Sequence, residues 1–340
     1  MPTRLRYALA VLALAATAVG APAATAKAKP EAKPKTPPKP SVYTGVVDVS
    51  TVLGLQNESA AGTGMVLTPT GEILTNNHVI RGATSVRVTV TSTGRSYTAT
   101  VVGYSVANDV AVLQVQGATN LKTVTVGNSS TVKAGQKVLA VGNAGGVGGK
   151  PSSAAGTVTA TGQTITASDE DGISEQLTSL IQTNARLQPG DSGGPLFNAL
   201  NRVVGMDTAG SVGFQLSSSQ GYSIPINRAL AIARQIVAGQ ASATVHIGST
   251  PYLGVSIDPS ADTPGGVTVA GTQPGGPVDQ AGIVEGDVIT SINGQPVDSF
   301  NSLSSALLLV NAGATVTVDY IDRNGVAQTA SVVTASGPPQ

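Results

Sequence analysis

Only two histidines occur among 340 residues, His78 in "ILTNNHVI" and His246 in "ATVHIGS". A serine sits in "ARLQPGDSGGPLF", flanked by glycines and preceded by an acid: Ser192. Acyl transfer by a serine needs a base for the hydroxyl proton, a carboxylate that orients the base, and donors for the oxyanion. His78 follows an apolar run, where a strand end presents a side chain. Asp109 in "ANDVAVLQV" directly precedes another apolar run. Gly190 has the backbone freedom to aim its N–H at a carbonyl oxygen, and the Ser192 N–H is the second donor. Asp-Ser-Gly alone is an ordinary loop string, and a lone Asp before a strand is ordinary too. The full "GDSGGP" with His78 and Asp109 ahead of it is not. His246 reads as a structural or solvated histidine in a linker.

These side chains need a scaffold of strands. Val and Thr alternate in "SVRVTVTSTGRSYTATVVGYS", on both sides of the turn "STGR", and "DVAVLQV", "KVLAVGN" and "RVVGMDTAG" are further buried-strand candidates. With 41 glycines as punctuation, the pattern predicts barrels or a sandwich. "NRALAIARQIVAG" has helical spacing and a Gly stop, which predicts a closing helix. After the linker "QASATVHIGST", a smaller unit combines strands such as "YLGVSI" and "DVITSING" with short helices near "PVDQAG" and "FNSLSSALLLV". The fold class expected is mostly β, barrels or a sandwich followed by a small α+β domain.

Composition narrows the function. Hydrophobic residues make up 41% of the chain but aromatics only 3%, so the cores are aliphatic. Cysteine is absent, which excludes thiol nucleophiles and thiolate metal sites. Seven of the 19 basic residues and one of the 19 acids lie in the first 40 positions, so the remainder carries 12 basic and 18 acidic residues. That acidic balance gives no support for nucleic-acid binding. Arg4, Arg6, the apolar run Tyr7 to Gly20 and the small residues of "APAATA" read as an export signal, cleaved after Ala23 or Ala26. The other reading is an uncleaved membrane anchor. "KAKPEAKPKTPPKP" is an extended tether. The expected division is 1–26 signal, 27–42 tether, 43–240 catalytic unit, 241–250 linker and 251–336 terminal domain.

Together, "TNNHV", "NDVAVL" and "GDSGGPL" resemble the trypsin-like serine peptidases of the HtrA type, and the last domain is similar to a PDZ domain. The resemblance implies two six-stranded barrels, with His78 and Asp109 from the first and Ser192 from the second, chemistry that needs no metal or cofactor, and a secreted or envelope enzyme acting on misfolded or specific proteins. Leu253, Gly254 and Val255 of "YLGV" would receive a peptide C-terminus, the bound peptide adding as a strand. The S1 pocket candidates are Arg186, Asp207, Thr208 and Ala209. Asp191 stands where the HtrA type usually has Asn. A buried unpaired carboxylate there would oppose an oxyanion, so Arg186 is expected to pair with Asp191, or else Asp207, leaving a pocket for small or medium apolar side chains. Before Gly62 the one aromatic past the export signal is Tyr43, so homo-oligomer contacts of the HtrA kind are weakly supported. Two rivals are a silent, chaperone-like peptide binder on the same fold and an esterase. The second lacks the strand-to-helix setting of a nucleophile elbow.

Overall fold

The computed structural model describes residues 41–54, 57–168, 174–208, 220–257 and 265–340. The export signal, the tether up to residue 40 and the S1 candidate Ala209 lie outside the described residues. Six antiparallel strands build the first barrel: β1 (Val46–Leu53), β2 (Glu58–Val66), β3 (Glu72–Thr75), β4 (Ser85–Val90), β5 (Arg95–Ser105) and β6 (Val110–Val115). They run in the order β5-β4-β1-β2-β3-β6, and β5 pairs with β6 to close the ring. A one-turn helix α1 (Asn77–Ile80) follows β3. The second barrel closes from β7 (Lys137–Gly142), β8 (Ser152–Ser168), β9 (Ser174–Thr183), β10 (Pro195–Asn198), β11 (Val203–Asp207) and β12 (Gly221–Pro225).

Strand periodicity explains the packing. Side chains alternate between faces, and β6 divides its residues accordingly. Ala111, Leu113 and Val115 enter the core of the first barrel, while Val110 and Val112 enter a second core shared by both barrels. That shared core takes Leu177, Phe197, Met206 and Ile224 from the second barrel. Helix α2 (Ile226–Val237) lays Ile226, Ala229, Ala233 and Ile236 on it, one helical face, and ends at Gly239 with φ +67°. The barrels are thus joined along an apolar seam, and the candidate catalytic residues lie at its edge.

The linker is more ordered than its sequence suggests. His246 and Ile247 form β13 (His246–Ile247), which pairs with Tyr104 and Gly103 of β5. Beyond it, β14 (Thr250–Tyr252) precedes the terminal domain's edge strand β15 (Val255–Ile257). β16 (Val267–Thr272), helix α3 (Pro277–Gln280), β17 (Val288–Ile292), β18 (Gln295–Pro296), helix α4 (Phe300–Leu308), β19 (Thr315–Ile321) and β20 (Ala327–Val333) complete that domain, and β21 (Ala335–Gly337) returns to pair with β14. A capping box between Ser299 and Ser302 starts α4.

Candidate active site

Asp109 is placed by backbone geometry. It caps a 3-10 turn over Val106–Asn108 in the left-handed conformation, φ +51°, which short polar residues tolerate. Asn76 Nδ2 donates to its carbonyl at 2.8 Å. The buried carboxylate accepts the His78 backbone N–H at 3.0 Å and the Thr208 hydroxyl at 3.0 Å. His78 Nδ1 lies 3.0 Å from Oδ1 and 2.9 Å from Oδ2. A carboxylate is an acceptor only, so this contact keeps the proton on Nδ1 and leaves Nε2 as the basic nitrogen. The His78 side chain retains 21% exposure, enough to meet a substrate.

The Ser192 loop is fastened to the first barrel through Thr63 of β2. The Thr63 N–H donates to the Ser192 carbonyl at 2.8 Å. Its hydroxyl donates to the Gly190 carbonyl at 2.7 Å and accepts the Asn143 N–H at 2.9 Å, while its own carbonyl accepts the Thr75 hydroxyl at 2.7 Å. Gly193, at φ +83°, packs so closely that a Cβ would lie 2.0 Å from the Thr63 carbonyl oxygen. Gly190 has φ +95°, and a Cβ there would lie 2.1 Å from the Asn143 oxygen. The Pro189 carbonyl accepts the Gly145 N–H at 2.7 Å. A trans peptide opposes its two polar groups, so this bond turns the Gly190 N–H the other way. Among the described residues that N–H has no acceptor, as an oxyanion donor awaiting substrate requires.

The two acids beside this loop differ from expectation. Arg186 is exposed and forms no ion pair among the described residues. Asp191 instead receives the Gln188 backbone N–H at 2.9 Å and the Ser152 hydroxyl at 3.3 Å. Burial pushes its carboxyl above the ordinary range, against those two bonds. Two uncharged donors stand where the Arg186 pairing was expected, and the guanidinium keeps its hydration at the surface. Asp207 is fully buried, accepts the Ser223 hydroxyl at 2.7 Å on Oδ1, and has no partner for Oδ2. Burial raises its carboxyl well above the ordinary range; the Ser223 bond opposes this and the nearby Asp191 adds to it. Thr208 turns its hydroxyl to Asp109, so its contact is with the histidine's partner.

The sequence reading did not single out Thr63, Asn143 or Gly145. Its one available signal was the small-residue string "AAGTG" in β2, where bulk is excluded: a Cβ on Gly62 would lie 3.2 Å from the Ser192 oxygen and 2.7 Å from Val79. In the terminal domain, the Leu253 carbonyl accepts the Val278 N–H at 3.0 Å and the Gly254 carbonyl the Gln273 N–H at 2.8 Å. By the same trans-peptide geometry, the Gly254 and Val255 N–H groups face away from the domain. Among the described residues, strand β15 is the sheet's edge and its outer side pairs with no strand.

Two closed barrels with a Ser–Gly–Gly loop fastened across them define the trypsin-like class. Residues 62–206 match the trypsin-like peptidase domain family and residues 251–334 the PDZ domain family. The chain is 34% identical over 307 residues to the serine protease PepD of Mycobacterium tuberculosis, covering 86% of this chain and 64% of that protein. It is 31% identical to the periplasmic pH-dependent serine endoprotease DegQ of Escherichia coli, covering 78% and 57%. It therefore spans less than two thirds of the length of these relatives. The structure of the HtrA-type protease AlgW with a tripeptide superposes with a TM-score of 0.51 at 29% identity, covering 88% of this chain and 99% of that one. The chain carries a trypsin-like peptidase domain followed by a PDZ domain, the arrangement of the HtrA-type serine proteases to which it is similar.

Proposed function

We propose that this chain is an exported serine endopeptidase of the cell envelope or its surroundings, whose PDZ domain binds peptide C-termini. The observation that carries the reading is the Asp109 carboxylate, which holds His78 Nδ1, the His78 N–H and the Thr208 hydroxyl together. In this reading Ser192 Oγ attacks the scissile carbonyl and His78 Nε2 takes the hydroxyl proton. Asp109 stabilises the imidazolium so formed. The N–H groups of Gly190 and Ser192 hold the oxyanion. His78 then gives its proton to the departing amine, and water releases the acyl group by the same route in reverse. Burial disfavours the charged form of the Asp191 and Asp207 carboxyls, which fits an uncharged substrate side chain before the cut. Export is supported by the basic and apolar N-terminal residues and by periplasmic relatives such as DegQ. Among the described residues no helix is long and apolar enough to cross a membrane.

The test is labelling with a fluorophosphonate, mapped by mass spectrometry, beside casein hydrolysis by Ser192→Ala. The label should fall on Ser192, and the variant should lose about 10⁴-fold or more in rate. An intact protein that takes no label and leaves casein uncut would be the silent peptide binder. Calorimetry on the same samples reads the PDZ half: an apolar C-terminal peptide should bind more tightly as the free acid than as its amide, and equal affinities would remove the C-terminus from the proposal.

A further inference from the structure

A cleft of about 640 Å³ opens against the oxyanion loop, sharing Gly190 and Gly146 as walls. Strand register builds its floor. Ala61 of β2 pairs with Ser50 of β1, Ser50 with Arg87 of β4, and Arg87 with Thr98 of β5. One row therefore crosses four strands on a single face of the sheet. A parallel row sets Ser59 against Val52 and Val52 against Ser85, and Val52 is 48% exposed, so this face points outward. Gly146 abuts the near end of the first row: a Cβ on it would lie 2.9 Å from the Ala61 Cβ. Among the described lining residues Arg87 carries the only charge, and it makes no ion pair.

Chemistry decides which half of a substrate lies here. A carbonyl oxygen held by the Gly190 N–H leaves two groups diverging from its carbon. The departing nitrogen must face His78, which protonates it. His78 belongs to the first barrel, so the chain beyond the cut runs over that barrel, where the trough lies. Neighbouring strands are about 4.8 Å apart, so Arg87, two strands from β2, is about 10 Å from Ala61. An extended chain rises about 3.3 Å per residue, which brings roughly the third residue past the cut to the guanidinium. We infer that this trough is a specificity subsite for the leaving half of the substrate, in which Arg87 selects an acidic side chain about three residues beyond the scissile bond. The inference rests on the peptidase reading above. Small hydroxyl side chains on the floor leave room for an extended peptide, and an arginine matches a carboxylate through paired donors.

The experiment compares fluorogenic peptides identical except for Glu, Gln or Lys at that third position. The wild type should favour Glu over Gln by roughly three- to fivefold in kcat/KM, the range of a solvent-exposed ion pair, with the preference fading at high salt. In Arg87→Gln the ratio should fall to about one, and in Arg87→Glu the peptide with Lys should become the best. An unchanged ratio in both variants, or no preference in the wild type, would overturn the assignment. Anisotropy with the same peptides and Ser192→Ala protein reads the subsite without turnover. If no peptide is cut and no fluorophosphonate label is taken, the peptidase reading fails by itself, and a Glu-over-Gln affinity ratio that still follows the charge at position 87 keeps the subsite.

Discussion

Thr63 makes four hydrogen bonds, and three of them set the loop that surrounds Ser192. Its hydroxyl bridges the Gly190 carbonyl and the Asn143 N–H, so it fixes one peptide beside the proposed oxyanion donor. Thr63→Val keeps the shape and deletes that bridge, leaving a buried donor and a buried acceptor unpaired. The expected result is a fall in kcat of about 10- to 100-fold with KM little changed, because binding contacts survive and oxyanion stabilisation does not. Thr63→Ser should restore most of the rate. A loss carried mainly in KM, or no recovery with Ser, would assign Thr63 to substrate binding or to packing. At this scale the sequence offers candidates where a side chain's own chemistry suggests a role, as for His78, Asp109 and Ser192, and the structure brings His78 and Asp109 into contact. It was silent on Thr63, whose role arises from a contact between residues 127 positions apart. Arg186 was misread for a related reason: nearness in sequence to Asp191 says nothing about which of the two stays in water.

Strand β11 is buried at all five positions and ends in Asp207, a charged residue type in an apolar run. The run itself was readable from "RVVGMD". What held the acid was not, because Ser223 comes from β12, which pairs Ser223 with Asp207 across the sheet. The short β13 escaped the sequence reading likewise: "VHI" is too brief for periodicity, and its partner is β5. The buried acid has a consequence for pH. Its folded value is raised above the unfolded one, so the proton is bound more tightly in the folded chain. Its contribution to stability is fully present below the ordinary carboxylate range and is lost as pH rises through the raised folded value. Asp207→Asn removes that dependence. The difference in Tm, variant minus wild type, should therefore climb from about pH 4 upward and level off once the wild-type acid has ionised. The buried amide adds a constant offset, so the slope carries the test. A difference flat from pH 4 to pH 9, taken by scanning calorimetry, would mean that Asp207 is already ionised at the lower limit.

The C-terminal residues that follow the PDZ domain meet the first barrel close to the helix that carries His78. Asn77 Nδ2 donates to the Gln340 carbonyl at 2.8 Å, and the Gly82 N–H donates to the Pro339 carbonyl at 2.8 Å. On the far side of the contact, His246 is buried with its ring centroid 5.2 Å from that of Tyr104. Its Nε2 lies 3.0 Å from the Ser249 carbonyl, and its Nδ1 lies 3.3 Å from the carbonyl of Leu308, at the end of α4. Tyr104, fully buried in the first barrel, shares a 2.9 Å hydrogen bond with Thr250. The second histidine thus pins the PDZ helix to the protease barrel, a more specific role than a solvated linker residue. His246→Ala removes the ring contact and both polar contacts while leaving His78 and Asp109 as they are. It should speed limited proteolysis across residues 240–254 several-fold, since the segment gains freedom to enter a protease site. Hydrolysis of a short peptide, which needs only the barrels, should change by less than about threefold, whereas His78→Ala should lose about 10⁴-fold. Equal losses of peptidase activity in the two variants would show that docking of the PDZ domain on β5 is itself required for the chemistry, and would move control of the active site from the Thr63 bridge to the contact between the domains.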